Sequence, residues 1–223
     1  MRFLCLHGGS TSGEIFEIQS GGLTQALEQA GHKFHFMNGR LDSDCEPELK
    51  CIVPPPFYNH YPRDISPGSD LQNAIQYTQR IISREGPFDA VMGFSQGAAL
   101  AYSLLEHDYT TRKQTETETG SSGSPLFKAA VFICAGMPYD LSGKESASLP
   151  SEGGYVVTIP TAHIVGKQDA LFEQGRKLYG LCEPSQAELY DHGGKHMIPF
   201  DAERSEDMVR VIERVIERAN KKA

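Results

Sequence analysis

Apolar and polar residues follow two different periods along this chain. Short apolar runs bounded by glycine or polar residues are typical of buried strands. Stretches whose apolar residues recur three or four positions apart are typical of helices. The strands are predicted at residues 2–7, 32–37, 88–92, 128–134, 161–165 and 187–190, and the helices at residues 14–30, 70–85, 98–105, 169–180 and 201–220.

The alternation of these elements decides the fold class. Strands separated by helices form a parallel sheet with helices on both faces, and sites in such sheets lie at the carboxyl ends of the strands. The sequence has no internal repeat, and 223 residues suit one domain with a sizeable core. We therefore predict a single α/β domain over residues 1–223, with a mostly parallel sheet.

Three stretches interrupt this pattern. Thr11 with Glu14 fits a capping box for the first helix, and the Gly21-Gly22 pair is expected to weaken or break that helix. Residues 38–69 lack periodicity and are rich in proline and aromatic residues, which predicts a substrate-binding flap, with a plain surface excursion as the alternative. Residues 108–125 are polar and are predicted to form a mobile loop without chemistry.

Charge and hydropathy exclude several classes of partner. The formal net charge is −8 and no basic block is present, which argues against nucleic acid and anionic membranes. No apolar run reaches the roughly 18 residues that a membrane span needs. The apolar run before His7 is too short for a signal peptide, so a cytoplasmic location is expected.

The cysteines and histidines do not follow a metal-binding spacing. The chain has five cysteines and no C-x-x-C motif. Cys45 and Cys51 share a loop and could pair, but reduced thiols are expected in the cytosol. His32 and His35 stand on one predicted strand, but a metal site there is not favoured. We predict neither a metal nor a cofactor.

The candidate chemistry centres on Gly93-Phe94-Ser95-Gln96-Gly97, between a predicted strand and a predicted helix. G-x-S-x-G in that context is a nucleophile elbow. A side chain at either glycine would clash where the strand turns into the helix. Ser95 is expected to have a strained backbone, with its hydroxyl at a helix N-terminus that favours negative charge. The plainer alternative is a glycine-bounded turn with a solvated serine.

A serine hydroxyl needs a base to become a good nucleophile. In α/β-hydrolases the acid and the base follow the elbow in the order Asp or Glu, then His, each in a loop after a strand. Asp169 and His196 fit those positions. We predict Ser95 as nucleophile, His196 as general base and then acid, and Asp169 as the group that orients the imidazole.

Other residues compete for these roles. His192 lies in the same loop as His196, and Asp191 is the rival acid. His163 lies mid-strand and is expected to be a satisfied buried histidine. Asp169 could also act as the N-cap of the following helix, and the two roles are compatible.

A tetrahedral oxyanion needs two hydrogen-bond donors. The backbone N–H of Gln96 is the first predicted donor, because it follows the nucleophile. The second is expected from the loop after the first strand, where we favour the Gly9 N–H, with Ser10 as the alternative. His7 is expected to be a structural hydrogen-bonding residue rather than a second base.

An ordered set of motifs is similar to the fungal family of serine hydrolases, which have the α/β-hydrolase fold. This family includes the ovarian-cancer-associated hydrolase of animals and stand-alone thioesterases that release products from fungal polyketide synthases. The resemblance covers nearly the whole chain, and its triad falls on Ser95, Asp169 and His196. Lys195 stands between the glycine pair and His196, where the family usually has no residue. The motifs are residues 4–8, Ile15-Phe16, residues 93–97, residues 166–169 and residues 193–199.

The resemblance implies a serine acyl hydrolase for an ester or thioester. The substrate it implies is a polyketide chain held as a thioester on a synthase carrier domain. Gly-Phe-Ser-Gln-Gly also occurs in carboxylesterases and acyl-protein thioesterases, so a general esterase for short-to-medium acyl chains is the alternative. A non-catalytic ligand-binding protein is the alternative of another class. The expected acyl pocket is formed by Phe16, Phe57, Tyr58, Tyr61, Met137, Met197 and Ile198.

Overall fold

The computed structural model describes residues 1–45, 52–121 and 123–222. Its strands are β1 (Arg2–Leu6), β2 (Lys33–Met37), β3 (Leu41–Ser43), β4 (Phe57–Asn59), β5 (Ala90–Phe94), β6 (Ala129–Ile133), β7 (Thr161–Val165) and β8 (Ala187–Asp191). Its helices are α1 (Gly13–Gln29), α2 (Ser69–Glu85), α3 (Gln96–Thr119), α4 (Phe172–Gly180) and α5 (Ala202–Lys222).

Six strands form one parallel sheet in the order β2-β1-β5-β6-β7-β8. Successive strand residues point to opposite faces, so Phe3 and Cys5 contribute to one apolar layer while Leu4 and Leu6 contribute to the other. Apolar residues of α2, α3 and α4 cover one face, and those of α1 and α5 cover the other. The predicted α/β fold with a single domain is confirmed.

The strand order places the reactive loops together. The chain leaves β1 toward β2 on one side and returns to β5 on the other, so β1 and β5 are neighbours whose following helices lie on opposite faces. Ligand crevices in open α/β sheets form at the carboxyl ends of such a pair. The loop after β1 and the elbow after β5 therefore meet at one edge of the sheet.

The segment predicted as a structureless flap contains ordered structure. β3 and β4 pair antiparallel, with Asp42 opposite Tyr58. Tyr58 also bridges to Thr11, and its N–H donates to the Thr11 carbonyl at 2.6 Å. The strands are only three residues long, too short for a period of two to stand out from the surrounding prolines. Residues 46–51 of this segment, with Pro47 and Cys51, lie outside the described residues.

The predicted loop over residues 108–125 is wrong for residues 108–119, which continue α3. The Asp108 carboxylate accepts hydrogen bonds from Arg112 at 2.9 Å and from the Leu126 N–H at 3.2 Å. Threonine hydroxyls beyond it donate to carbonyl groups one turn back. This part of the helix is polar all round, so it lacks the apolar stripe from which helices are predicted. Ser122 lies outside the described residues.

The start of α1 also differs from the prediction. Ser12, not Thr11, is the N-cap, and its hydroxyl accepts the Ile15 N–H at 3.2 Å. The Thr11 hydroxyl instead donates to the Gly8 carbonyl at 2.8 Å. The helix runs without a break through Gly21 and Gly22, because its buried apolar face outweighs the propensity cost of two glycines.

The cysteines that the structure describes, Cys5, Cys45, Cys134 and Cys182, are free thiols. Among the described residues, the helices all lack the length or the apolar character that crossing a bilayer requires.

Candidate active site

The turn between β5 and α3 has the geometry of an elbow. Ser95 has a φ of 53° and a ψ of −116°, a left-handed conformation that side chains rarely adopt. A Cβ at Gly93 would lie 2.5 Å from the Ala98 backbone, and one at Gly97 would overlap the Leu6 carbonyl. The two glycines therefore allow the strand and the helix to approach each other, and Ser95 is held at the N-terminus of α3.

Three predicted side chains form one hydrogen-bond chain. His196 Nδ1 lies 2.8 Å from Asp169 Oδ2, and His196 Nε2 lies 3.0 Å from Ser95 Oγ. A carboxylate can only accept, so Nδ1 carries the imidazole proton. Nε2 is then the acceptor for the Ser95 hydroxyl. The Asp169 side chain is 1% exposed and that of His196 is 35% exposed, so the carboxylate is shielded while the imidazole reaches the surface.

The environment of Asp169 keeps its carboxylate charged. Burial opposes ionisation, but hydrogen bonds from His196 and from the Leu171 N–H outweigh it and hold the pKa of this carboxyl below its ordinary value. The Leu171 N–H donates to Asp169 Oδ1 at 2.8 Å, just before α4 begins. Asp169 therefore binds the backbone at the start of α4 with one oxygen and His196 with the other.

Backbone hydrogen bonds join the loops that follow β7 and β8. The Gln168 N–H donates to the Gly194 carbonyl at 2.9 Å, and the Gln168 amide donates to the Gly193 carbonyl at 2.9 Å. A Cβ at Gly166 would lie 2.6 Å from the His192 ring, so the two loops touch there. These contacts fix Asp169 and His196 relative to each other. Lys195 is accommodated in the turn, where its carbonyl accepts the Met197 N–H at 2.9 Å.

The loop after β1 passes beside Ser95. A side chain at Gly8 would lie 3.4 Å from the Ser95 Cβ and 3.0 Å from Phe94. No acceptor among the described residues binds the Gly9 N–H. The Ser10 N–H donates to Asn59 Oδ1 at 2.7 Å, so it is already occupied and the alternative oxyanion donor at Ser10 is wrong.

The rival residues have other partners. Asp191 Oδ1 accepts the N–H groups of Lys167 at 2.9 Å and Gly193 at 2.7 Å. His192 is 3% exposed and lies beside Cys134, not Ser95. His163 is buried, bonded to Thr161 Oγ1 at 3.0 Å, and burial lowers its pKa to about 3.

His7 is a structural residue, as predicted. Its Nε2 accepts the Gly39 N–H at 2.8 Å, so Nδ1 carries the proton and donates to the Gly8 carbonyl at 2.5 Å. Burial lowers the pKa of His7 to about 4, which keeps it neutral.

His60 was missed by the sequence analysis as a site residue, and Tyr61 was expected only in the acyl pocket. The His60 N–H donates to Gln96 Oε1 at 2.9 Å, and the Gln96 amide donates to the Tyr61 carbonyl at 2.9 Å. The His60 ring stacks on His7 and its Nε2 donates to the His7 carbonyl at 3.0 Å. This segment therefore ties the elbow to the loop after β1. The only sequence signal was its place in a long loop.

The residues expected to line an acyl pocket occupy different environments. Phe16 has no exposed surface and packs under Phe94 and Phe36, so it is a core residue and the prediction that it lines a pocket is wrong. Ile198 is likewise buried, and Tyr61 is 5% exposed. Phe57, Tyr58 and Met137 are half-buried, and Met197, next to His196, is 36% exposed.

Two of the triad residues also belong to a group of side chains of the types that bind metal ions. Among the described residues, ligand atoms of Cys134, Asp169 and His196 lie within 4.8 Å of one another. His196 Nδ1 and Asp169 Oδ2 are already joined by a hydrogen bond, so these two ligand atoms have a partner.

Residues 1–208 match the family described as Serine hydrolase (FSH1). The chain belongs to this family. It is a serine hydrolase of the esterase type, so the alternative of a non-catalytic binding protein is not supported.

Curated relatives align with nearly the whole length of this hydrolase. Esterase FPY3 of Fusarium mangiferae is 35% identical over 226 residues, covering 98% of this chain and 98% of its own. Esterase FUS5 of Gibberella moniliformis is 30% identical over 224 residues, covering 95% and 85%. Esterase pigG of Monascus ruber is 27% identical, covering 97% and 90%.

Solved structures with low sequence identity share the fold of the hydrolase. Arabidopsis thaliana SOBER1 superposes with a TM-score of 0.61 at 16% identity, covering 97% of this chain and 99% of its own. A carboxylesterase from Mesorhizobium loti gives a TM-score of 0.61 at 15% identity, covering 95% and 88%. At such identities the likeness shows the α/β-hydrolase fold alone.

Proposed function

We propose that Ser95, His196 and Asp169 are the catalytic triad of this serine hydrolase and that it cleaves acyl thioesters or esters. The observation that supports this most directly is the hydrogen-bond chain from Ser95 Oγ through the imidazole to the carboxylate. His196 takes the Ser95 proton as the hydroxyl attacks the carbonyl carbon. The ionised Asp169 stabilises the imidazolium that forms. His196 then returns the proton to the leaving group.

The oxyanion of the tetrahedral intermediate is bound by two backbone donors. Gln96 is the first residue of α3, so its N–H lacks an acceptor four residues back within the helix. The Gly9 N–H lies in the loop that passes Ser95 and has no acceptor among the described residues. Both groups are thus available to the developing negative charge, which the helix N-terminus also favours.

The substrate class that we propose is a polyketide acyl chain held as a thioester on a carrier domain. The support is the resemblance to product-releasing thioesterases, together with four half-buried or exposed side chains that suit an apolar chain and lie on segments joined to the elbow, to His196 or to the loop after β1. Met137 follows Gly136, whose N–H donates to the Ser95 carbonyl at 3.4 Å, and Met197 follows His196. Phe57 and Tyr58 lie on β4, which is bound to the loop after β1.

The first experiment tests the nucleophile. Ser95→Ala should reduce the hydrolysis rate of an acyl thioester by about 10³-fold or more, because the acyl-enzyme can no longer form. A fluorophosphonate probe should label the wild type and not this variant. Ser103→Ala removes a buried hydroxyl from the same helix and is the matched control. Wild-type activity in Ser95→Ala would contradict the proposed triad.

The second experiment tests the substrate class. The same medium-length acyl group is presented as a thioester on a phosphopantetheinyl carrier domain and as a simple oxygen ester. We expect kcat/KM to be at least about tenfold higher for the carrier-bound thioester, because the carrier adds binding surface. Equal values would favour the general carboxylesterase. Mass spectrometry of the product should show the free acid; an ester, amide or cyclic product would indicate another acyl acceptor instead of water.

A further inference from the structure

The Thr11 hydroxyl is a buried polar group that the mechanism described above does not use. The residue is 4% exposed, and Ser12 rather than Thr11 caps α1. Thr11 Oγ1 lies 2.8 Å from the Gly8 carbonyl oxygen and 3.2 Å from His7 Nδ1. A Cβ at Gly8 would lie 3.4 Å from the Ser95 Cβ, so the hydroxyl contacts the segment that passes the nucleophile.

The direction of the Thr11 hydroxyl follows from the tautomer of His7. His7 Nε2 accepts the Gly39 N–H at 2.8 Å, so Nδ1 carries the imidazole proton and cannot accept another. The Thr11 hydroxyl therefore donates to the Gly8 carbonyl, which also accepts from His7 Nδ1 at 2.5 Å. Two buried donors thus hold a single carbonyl oxygen.

The Gly8 carbonyl and the Gly9 N–H belong to one peptide unit. That unit is planar and trans, so its two polar groups point in opposite directions. Because His7 and Thr11 hold the carbonyl on one side, the N–H is directed to the other side. In the part of the chain that the structure describes, no acceptor binds this N–H. The peptide unit therefore presents an available donor in the loop beside Ser95.

The peptide unit on the other side of Gly9 is also held. The Ser10 N–H donates to Asn59 Oδ1 at 2.7 Å, and the Asn59 amide donates to Ser43 Oγ at 2.9 Å. Glycine has no side chain to restrict its backbone rotation. The hydrogen bonds on both flanks of Gly9 supply that restriction, so the direction of its N–H depends on them.

We propose that Thr11 is a positioning residue for the oxyanion hole: its hydroxyl fixes the Gly8–Gly9 peptide unit so that the Gly9 N–H faces the oxyanion. The proposal rests on the triad and the oxyanion donors proposed above. The oxyanion forms only as Ser95 attacks the carbonyl carbon, so a misdirected donor weakens binding of the transition state more than binding of the substrate. Loss of the hydroxyl should therefore lower kcat much more than it raises KM.

Substitutions at position 11 test this role. Thr11→Val keeps the shape of the side chain without the hydroxyl and should lower kcat about tenfold, with KM changed less than about twofold. Thr11→Ala should show the same loss, and it replaces Thr11→Val if that variant does not fold. Thr11→Ser keeps the hydroxyl and should recover kcat to within about threefold of the wild type.

Thr78→Val is the matched control for the loss of a buried hydroxyl. Thr78 has no exposed surface, and its hydroxyl donates to the Ala74 carbonyl at 2.9 Å within α2. This variant should keep the wild-type kcat and KM. Melting temperatures of all variants show whether each is folded at the assay temperature.

A transition-state analogue separates a role in the oxyanion hole from a loss of packing. Ser95 Oγ adds to the carbonyl carbon of an alkyl trifluoromethyl ketone, its proton passes to His196, and the carbonyl oxygen becomes an oxyanion. The inhibition constant of this ketone should rise in Thr11→Val by about the factor by which kcat/KM falls. In Thr78→Val it should equal the wild-type value.

Three results would overturn the positioning role. They are a wild-type kcat in Thr11→Val and Thr11→Ala, a Thr11→Ser variant as impaired as these two, and a fall in kcat without a change in the inhibition constant of the ketone. The triad stays supported in each case provided that Ser95→Ala is inactive and fluorophosphonate labels Ser95 in the Thr11 variants. An active Ser95→Ala would instead overturn the triad.

Discussion

Three residues with a left-handed backbone conformation lie at the edge of the sheet that carries the site. Ser10, Ser95 and Cys134 have φ values of 56°, 53° and 46°. They follow β1, β5 and β6, in that order, and Ser95 is the proposed nucleophile. A non-glycine residue in such a conformation costs on the order of 1–3 kcal/mol, and persists because the surrounding structure determines it. Strain in this molecule therefore coincides with the proposed chemistry.

At the same scale, the choice between two acidic residues can be tested. In Asp169→Asn the amide can donate to His196 Nδ1, which would place the imidazole proton on Nε2, where it blocks proton transfer from Ser95. We expect kcat to fall by about 10³–10⁴-fold. In Asp191→Asn the amide oxygen can still accept the Lys167 and Gly193 N–H groups, so kcat should fall less than about tenfold. Steady-state kinetics on one thioester gives both numbers, and a larger loss in Asp191→Asn than in Asp169→Asn would reverse the assignment.

The elements that the sequence predicted well have at least one apolar face. The buried strands β5, β6 and β7 and the amphipathic helices α2 and α5 lie within a few residues of the predicted ranges. The elements missed have no such face. β3 and β4 are three residues long and are held by contacts to the loop after β1. The last three turns of α3 are polar and depend on local hydrogen bonds that hydropathy does not record.

The polar end of α3 provides the test at this scale. Gln114 is exposed on the extension, so Gln114→Pro should break the helix there at a local cost of about 3 kcal/mol without touching the site. Hydrogen exchange should show faster amide exchange over residues 111–119, with unchanged exchange over residues 96–105 and unchanged kcat. Gln114→Ala is the control and should slow exchange slightly or leave it unchanged. Equal exchange rates in the proline variant and the wild type would mean that these residues are not helical in solution.

For the whole molecule, chain order predicted which side chains would meet. Ser95, Asp169 and His196 each follow a strand of one parallel sheet. Because the carboxyl ends of parallel strands lie at the same edge of the sheet, residues that are far apart in sequence are expected to meet there. The groups around them could not be predicted in this way. Asn59, on β4, and His60, which follows it, reach the site along a path that depends on tertiary contacts. Their roles follow from hydrogen bonds, which a linear pattern does not encode.

The folding stability of the whole molecule should depend on pH through one carboxyl outside the site. Burial, and then the nearby charge of Asp140, raises the pKa of Glu106 on α3 from 4.5 to about 7. Glu106 Oε2 and the Tyr102 hydroxyl are buried without a hydrogen-bond partner among the described residues. Between about pH 4.5 and 7 the folded protein holds a proton here that the unfolded chain has lost. The free energy of unfolding must therefore fall as pH rises through this window, and this contribution is constant above it.

Glu106→Gln removes that dependence and so tests its source. The variant should match the wild type near pH 4.5, where the carboxyl is largely protonated in the folded state, and exceed it by about 1–2 kcal/mol at pH 8, after allowance for partial solvent exposure. Urea denaturation at pH 4.5, 6 and 8 measures the difference. Glu118→Gln removes a carboxylate from the exposed end of the same helix and should leave the wild-type pH dependence unchanged. A constant difference between Glu106→Gln and the wild type at all three pH values would mean that packing, and not ionisation of a buried carboxyl, accounts for the effect.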